Sequence, residues 1–107
     1  MNLPKVVADL VMAQDNYDSG AYANCFTEDA VVFDEGQTYT GRAEIKHWIS
    51  NANEKYKSVM KPISFEEKGT ESILTADISG DFEGSPIVLN YHFEFIDGLV
   101  RSLKITG

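Results

Sequence analysis

Residues 87–98 read Ile-Val-Leu-Asn-Tyr-His-Phe-Glu-Phe-Ile-Asp-Gly. Ile87, Leu89, Tyr91, Phe93 and Phe95 alternate with Val88, Asn90, His92 and Glu94. Side chains of a strand point to opposite faces in turn, so the stretch predicts a strand with one apolar and one mixed face. Asp97-Gly98 is a hairpin signal, because both residues tolerate the positive φ that a two-residue turn demands. Leu99, Leu103 and Ile105 are expected to continue the apolar face on a returning last strand. A sheet with one apolar face has to be covered by other elements.

Toward the N-terminus, Leu74, Ala76, Ile78 and Phe82 share one face, and Thr75, Asp77, Ser79 and Asp81 the other. Gly84-Ser85-Pro86 turns the chain between these two strands. Ile63 and Phe65 alternate before a turn at Glu67-Lys68-Gly69-Thr70. Upstream of Tyr56 the period becomes helical. Ile45, Trp48, Ile49, Ala52 and Tyr56 line one side of a helix capped by Thr40 or Gly41, with Glu44 placed to reach back to its first N–H groups. Ala30–Phe33 is a short strand closed by the turn Asp34-Glu35-Gly36-Gln37, and Thr38-Tyr39-Thr40 returns from it. Leu3, Val6, Val7, Leu10, Ala13 and Tyr17 recur at helical spacing after Pro4, and Tyr22, Cys25 and Phe26 are the buried side of a short second helix. The expected order is α-α-β-β-α-β-β-β-β in one α+β domain, residues 1–107, with the helices covering a curved antiparallel sheet.

The 107 residues carry a formal charge of −8, divided evenly between the two halves of the chain. Without clustered Lys and Arg, neither nucleic acid nor an anionic membrane surface is an expected partner. Cys25 is the only cysteine, so no internal disulfide can form, and no apolar leader or membrane span is visible. A cytoplasmic location is the expectation. Glu44 and His47 make at most half of a helical metal motif, and no metal or cofactor is expected.

Asp29–Asp34 before a Gly turn with Tyr39–Ile45, and Ile78–Pro86 with Phe93–Gly98, form two stretches in a distinctive order. Together they resemble the nuclear transport factor 2-like superfamily and, within it, the SnoaL-like group named for a polyketide cyclase. The resemblance spans essentially the whole chain. It implies a cone-shaped α+β barrel with a pocket at its wide end, and homodimers through the outer sheet face. Enzymes of several reaction classes and proteins without chemistry share the fold, so function has to be argued from the site.

Asp34 follows an apolar strand in phase with Val32. Walled by aromatic rings, its charged form would be disfavoured and its pKa raised toward that of a general base, and the resemblance implies a base at the matching position in ketosteroid isomerases. The competing reading is an Asp that only shapes its turn. Tyr91 lies mid-strand where those isomerases hold an oxyanion-stabilising acid; otherwise it is a core tyrosine. The tyrosine such isomerases need on the first helix is missing from Val11-Met12-Ala13-Gln14, so a steroid isomerase is disfavoured. Tyr17, Phe26, Tyr39, Trp48, Phe65 and Phe93 are candidate lining residues for a small apolar ligand, and plain core is the alternative for each. His92, out of phase with Tyr91, is expected on the outer face near Asp77 or Glu94. Two readings stand: a cofactor-independent isomerase, cyclase or dehydratase acting on a small carbonyl compound, or a non-catalytic ligand-binding or dimerisation domain.

Overall fold

The computed structural model describes residues 1–107. Three helices, α1 (Lys5–Asp15), α2 (Ser19–Ala23) and α3 (Gly41–Tyr56), accompany six strands. The strands are β1 (Phe26–Asp34), β2 (Gln37–Thr40), β3 (Val59–Lys68), β4 (Glu71–Ser79), β5 (Ile87–Ile96) and β6 (Leu99–Thr106). They form one sheet in the order β2-β1-β6-β5-β4-β3. This is the expected element order with a curled sheet around the helices.

Each helix end has a local cause. Pro4 precedes α1, where its missing N–H leaves nothing unbonded. The Asp18 carboxylate accepts the Ala21 N–H at 3.0 Å and caps α2. Glu44 Oε1 accepts the Thr40 N–H at 3.0 Å, the expected reach-back at the start of α3. Glu44 is thereby committed to capping. At its other end α3 stops at Lys57, held in the left-handed region at φ 49°.

The apolar faces meet in one core. Val7 and Leu10 from α1, Ile45 from α3, Phe26 and Val32 from β1, Leu74 and Ala76 from β4, Phe93 from β5, and Val100 and Leu103 from β6 are all fully buried. The chain has no helix long and apolar enough to cross a membrane.

Four expectations are corrected. Phe26 opens β1 instead of closing a helix, because α2 ends at Ala23. The sheet is not wholly antiparallel, since β1 runs parallel to β6. On β6 the inner residues are Val100, Leu103 and Ile105, with Leu99 paired to Ile96 on the outer side. A bulge shifts the register between Glu94 and Phe95, and one extra residue inverts the phase of everything before it. Ile63 is half exposed because a second bulge falls between Pro62 and Ser64 on the edge strand β3, where a residue without an N–H is tolerated.

His92 does face outward. Its Nδ1 lies 2.8 Å from Glu71 Oε1 and its Nε2 3.0 Å from Thr106 Oγ1. Its partners are therefore diagonal neighbours on the flanking strands, not Asp77 or Glu94; the Glu94 carboxylate accepts from Ser102 instead.

Candidate functional site

Residues of α3, β4 and β5, with others from α1, α2, β1, β3 and β6, border a cavity of about 360 Å³. Its walls are mostly apolar, with Ile49 and Ala52 from α3, Met60 from β3, Ile78 from β4, Leu89 from β5 and Ile105 from β6. Polar groups enter at a few points. They are Asp34, Tyr22, Tyr91 and Trp48, also Gln14, Asn53 and Ser58, and at the exposed edge Glu35 and Glu83. A largely apolar hollow with few convergent polar groups is the ordinary form of a small-molecule site.

Asp34 ends β1, where the chain leaves the sheet for the turn at Glu35, whose φ is 51°. That turn stops the strand with the Asp34 side chain half-buried at the cavity edge. Partial loss of water disfavours the carboxylate, and the neighbouring Glu35 charge adds to the effect. Donors from the Trp48 indole and the Glu35 backbone, both outside close hydrogen-bond geometry, lower it in part. The balance leaves Asp34 pushed up to about 6.

Tyr22 and Tyr91 are both buried. Burial pushes each phenol above the usual tyrosine range, and the Asp34 charge pushes in the same direction in both cases. Tyr22 is raised by Tyr91 as well. The three groups therefore share one electrostatic neighbourhood. Neither hydroxyl hydrogen-bonds to any group of the protein, yet no buried side-chain oxygen or nitrogen is sealed off without a partner. Both hydroxyls consequently open onto the cavity that their residues line. They stay protonated at neutral pH and are available as donors.

Of the residues expected to line a ligand space, Trp48 does so. Three others stand behind the wall as braces. The Tyr39 ring stacks on Trp48 with centroids 5.5 Å apart, Phe26 packs on Tyr22 at 5.7 Å, and Phe93 stacks on Tyr91 at 6.5 Å. Phe26 and Phe93 are fully buried and leave no surface for a ligand. Phe65 packs against the core from β3, and Tyr17 sits in the turn after α1, donating its hydroxyl to the Lys57 carbonyl at 2.9 Å. Neither Phe65 nor Tyr17 touches the cavity, because alternation fixes a face of the sheet and not a position along the cone.

Several polar lining residues are not marked as such by the sequence, among them Tyr22, Gln14 and Asn53. Tyr22 passes for plain core. Gln14 and Asn53 left a clearer signal, since each falls on the apolar stripe of its helix, Gln14 with Val7 and Leu10, Asn53 with Ile45 and Ile49. An amide on an apolar stripe needs a partner, and here the two meet. Cys25 is buried beside the Ala21 carbonyl and pushed up to about 11, which suits a small hydrophobe better than a nucleophile.

Residues 3–66 match the model of the SnoaL-like domain. A structure described as a candidate polyketide cyclase from Sinorhizobium meliloti is 34% identical, covers 97% of this chain and 95% of its own, and superposes with a TM-score of 0.92. A hypothetical protein with a ketosteroid isomerase-like fold from Catenulispora acidiphila, solved with trimethylamine, is 18% identical with a TM-score of 0.87, covering 99% and 87% of the two chains. A cystatin-fold protein from Novosphingobium aromaticivorans is 14% identical with a TM-score of 0.81 over 100% and 99% of the chains. The last two show likeness of fold alone. None of the curated proteins matches this chain.

Proposed function

The chain belongs to the SnoaL-like domain family, and on that premise we propose that it is a cofactor-independent isomerase or cyclase acting on a small carbonyl compound. The observation that carries the reading is the meeting of the half-buried Asp34 carboxylate with two phenol donors at one largely apolar cavity. Asp34 takes the proton from the carbon next to the carbonyl. The C–H electron pair becomes the enolate double bond, and the carbonyl π pair moves onto oxygen. The Tyr22 and Tyr91 hydroxyls hydrogen-bond that oxygen as its charge develops, in surroundings dry enough to strengthen the interaction. The neutral Asp34 carboxyl then returns its proton, either to a different carbon of the same molecule or to the alkoxide left when the enolate carbon closes a ring on a second carbonyl. A base near pH 6 is suited to both directions of transfer.

The test is exchange of the α-protons of 2-tetralone, an enolisable bicyclic ketone, in D₂O followed by NMR. Exchange should be accelerated by the protein, rise with pH through a midpoint near 6 and level off above it. Asp34→Asn should slow it by about 10²- to 10⁴-fold. Acceleration that survives Asp34→Asn would remove the base from this role. Binding of the ketone without exchange would mark a non-catalytic ligand-binding domain.

We also infer a homodimer through the outer sheet face, supported by Phe33, Val88 and Ile96, which are large, apolar and exposed on that side.

A further inference from the structure

Gln14 and Asn53 have capacity that the reaction above does not use. The Gln14 side-chain nitrogen donates to Asn53 Oδ1 at 3.1 Å and to the Ser58 carbonyl at 3.3 Å. A carbonyl can only accept, so the Gln14 atom facing Ser58 has to be its nitrogen. The Asn53 atom facing that nitrogen is then its oxygen. Both N–H groups of Gln14 are thereby used and the orientation of both amides is fixed. What remains is Gln14 Oε1 as an acceptor and Asn53 Nδ2 with two donors, none of them bonded within the protein.

Both residues are only 8% exposed, yet no buried side-chain nitrogen or oxygen is sealed without a partner. The free amide atoms therefore reach open space, and both residues line the cavity. Position along α3 places them away from Asp34. Trp48 stands by the carboxylate and Asn53 is displaced from it by about 7.5 Å of helix rise. The apolar wall of Ile49 and Ala52 lies between them. The charged residues at the cavity, Asp34, Glu35 and Glu83, are all acidic, and no Lys, Arg or His lines it. An anionic ligand would meet repulsion with no compensating cation.

We propose that the Gln14–Asn53 pair selects the ligand, binding an uncharged oxygen function at the end opposite the carbon that Asp34 deprotonates. The preferred substrate class is a neutral, compact ring compound with an enolisable carbonyl at one end and an oxygen acceptor at the other. The proposal rests on the cavity reading above, and its binding readout does not require proton removal by Asp34.

Trp48 is the chain's single tryptophan and lines the cavity, so its fluorescence reports occupancy directly. Two probes, 2-tetralone and 6-methoxy-2-tetralone, share the ketone and differ by one acceptor on the far ring. The wild-type protein should bind the methoxy compound about tenfold more tightly, the value of one buried hydrogen bond. Asn53→Leu, close in size but without donors, should bring the ratio to within about threefold of one. Asn53→Ser, whose short hydroxyl cannot reach as far, should do the same and covers the case in which the leucine variant does not fold. A wild-type ratio near one, or a tenfold ratio kept in a folded variant, overturns the proposal. If α-proton exchange depends on Asp34 while the ratio is one, only this selection falls. Failure of both ketones to perturb Trp48 would sink the cavity reading and the selection together.

Discussion

Asp34 is held in surroundings that oppose its charge, and the consequence reaches stability as well as chemistry. Its pKa of about 6 in the folded protein compares with roughly 3.9 for an unfolded aspartate. The folded state thus binds this proton more tightly than the unfolded chain does. Below about pH 4 both states are protonated and the carboxyl costs nothing. Between about 4 and 6 stability falls as pH rises, and above that the loss is complete. Asp34→Asn should therefore be more stable than wild type at pH 7.5, by about 1 kcal/mol after allowing for the carboxylate's partial contact with water. Urea unfolding at pH 7.5 and pH 4 tests this, because the advantage should vanish at the lower pH. An advantage independent of pH would mean that the charge is not its source. Of the residues at this scale, the inward placement of Asp34 and Tyr91 was legible from strand phase. Tyr22 was not, because nothing in a short helix distinguishes a tyrosine whose hydroxyl meets a cavity from one that meets core.

At the scale of elements, the cavity depends on how the end of α3 docks on the end of β4. Gly80 makes that approach feasible. A Cβ there would stand 2.5 Å from the Tyr56 carbonyl oxygen and 3.2 Å from the Ser58 Cα. The same Tyr56 carbonyl accepts the Asp81 N–H at 2.6 Å. Tyr56 and Phe82 then meet edge to face at 6.0 Å, and both rings line the cavity. The nearest atom a Gly80→Ala methyl would meet is backbone, and the Phe82 ring lies 3.1 Å away, so the change should cost about 1–3 kcal/mol and loosen this side of the cavity. Thermal unfolding measures the first effect, and Trp48 quenching by 2-tetralone the second. A neutral alanine variant would show that the two elements can separate without loss. The bulges are the other decisive element-scale feature. The one in β6 carries Val100 onto the inner face in place of Leu99. Strict alternation cannot foresee this, because a bulge is an exception to the period that defines the strand.

For the whole molecule, the inner sheet face is occupied by the helices and the outer face stays free. Val88 is 51% exposed there, near the polar cross-strand pairs Thr75–Asn90 and His92–Glu71. Light scattering should give a mass near twice 11.9 kDa. Val88→Lys should shift it toward the monomer, since an isologous interface meets each substitution twice. Ligand quenching of Trp48 should be retained in that variant, because Val88 and the cavity lie on opposite sides of the sheet. A monomeric wild type at high concentration would contradict the dimer.

The sequence by itself determined the element order, the inner face of the central strands and the family, because these depend on local periodicity and turn chemistry. Residues 87–98 carry period two into a tight turn whatever else the chain does. The tertiary structure alone decided which inner-facing residues border empty space. Phe93 and Tyr91 share one strand face, yet Phe93 is sealed in the core while the Tyr91 hydroxyl opens onto the cavity. The difference lies in how far apart α3 and the sheet stand at each level of the cone, and that separation is set by side-chain volumes summed over residues distant in sequence. Gln14 and Asn53 belong to the same lesson. In sequence each is a lone polar residue on the stripe of its own helix, and only the tertiary approach of α1 to α3 makes them a hydrogen-bonded pair.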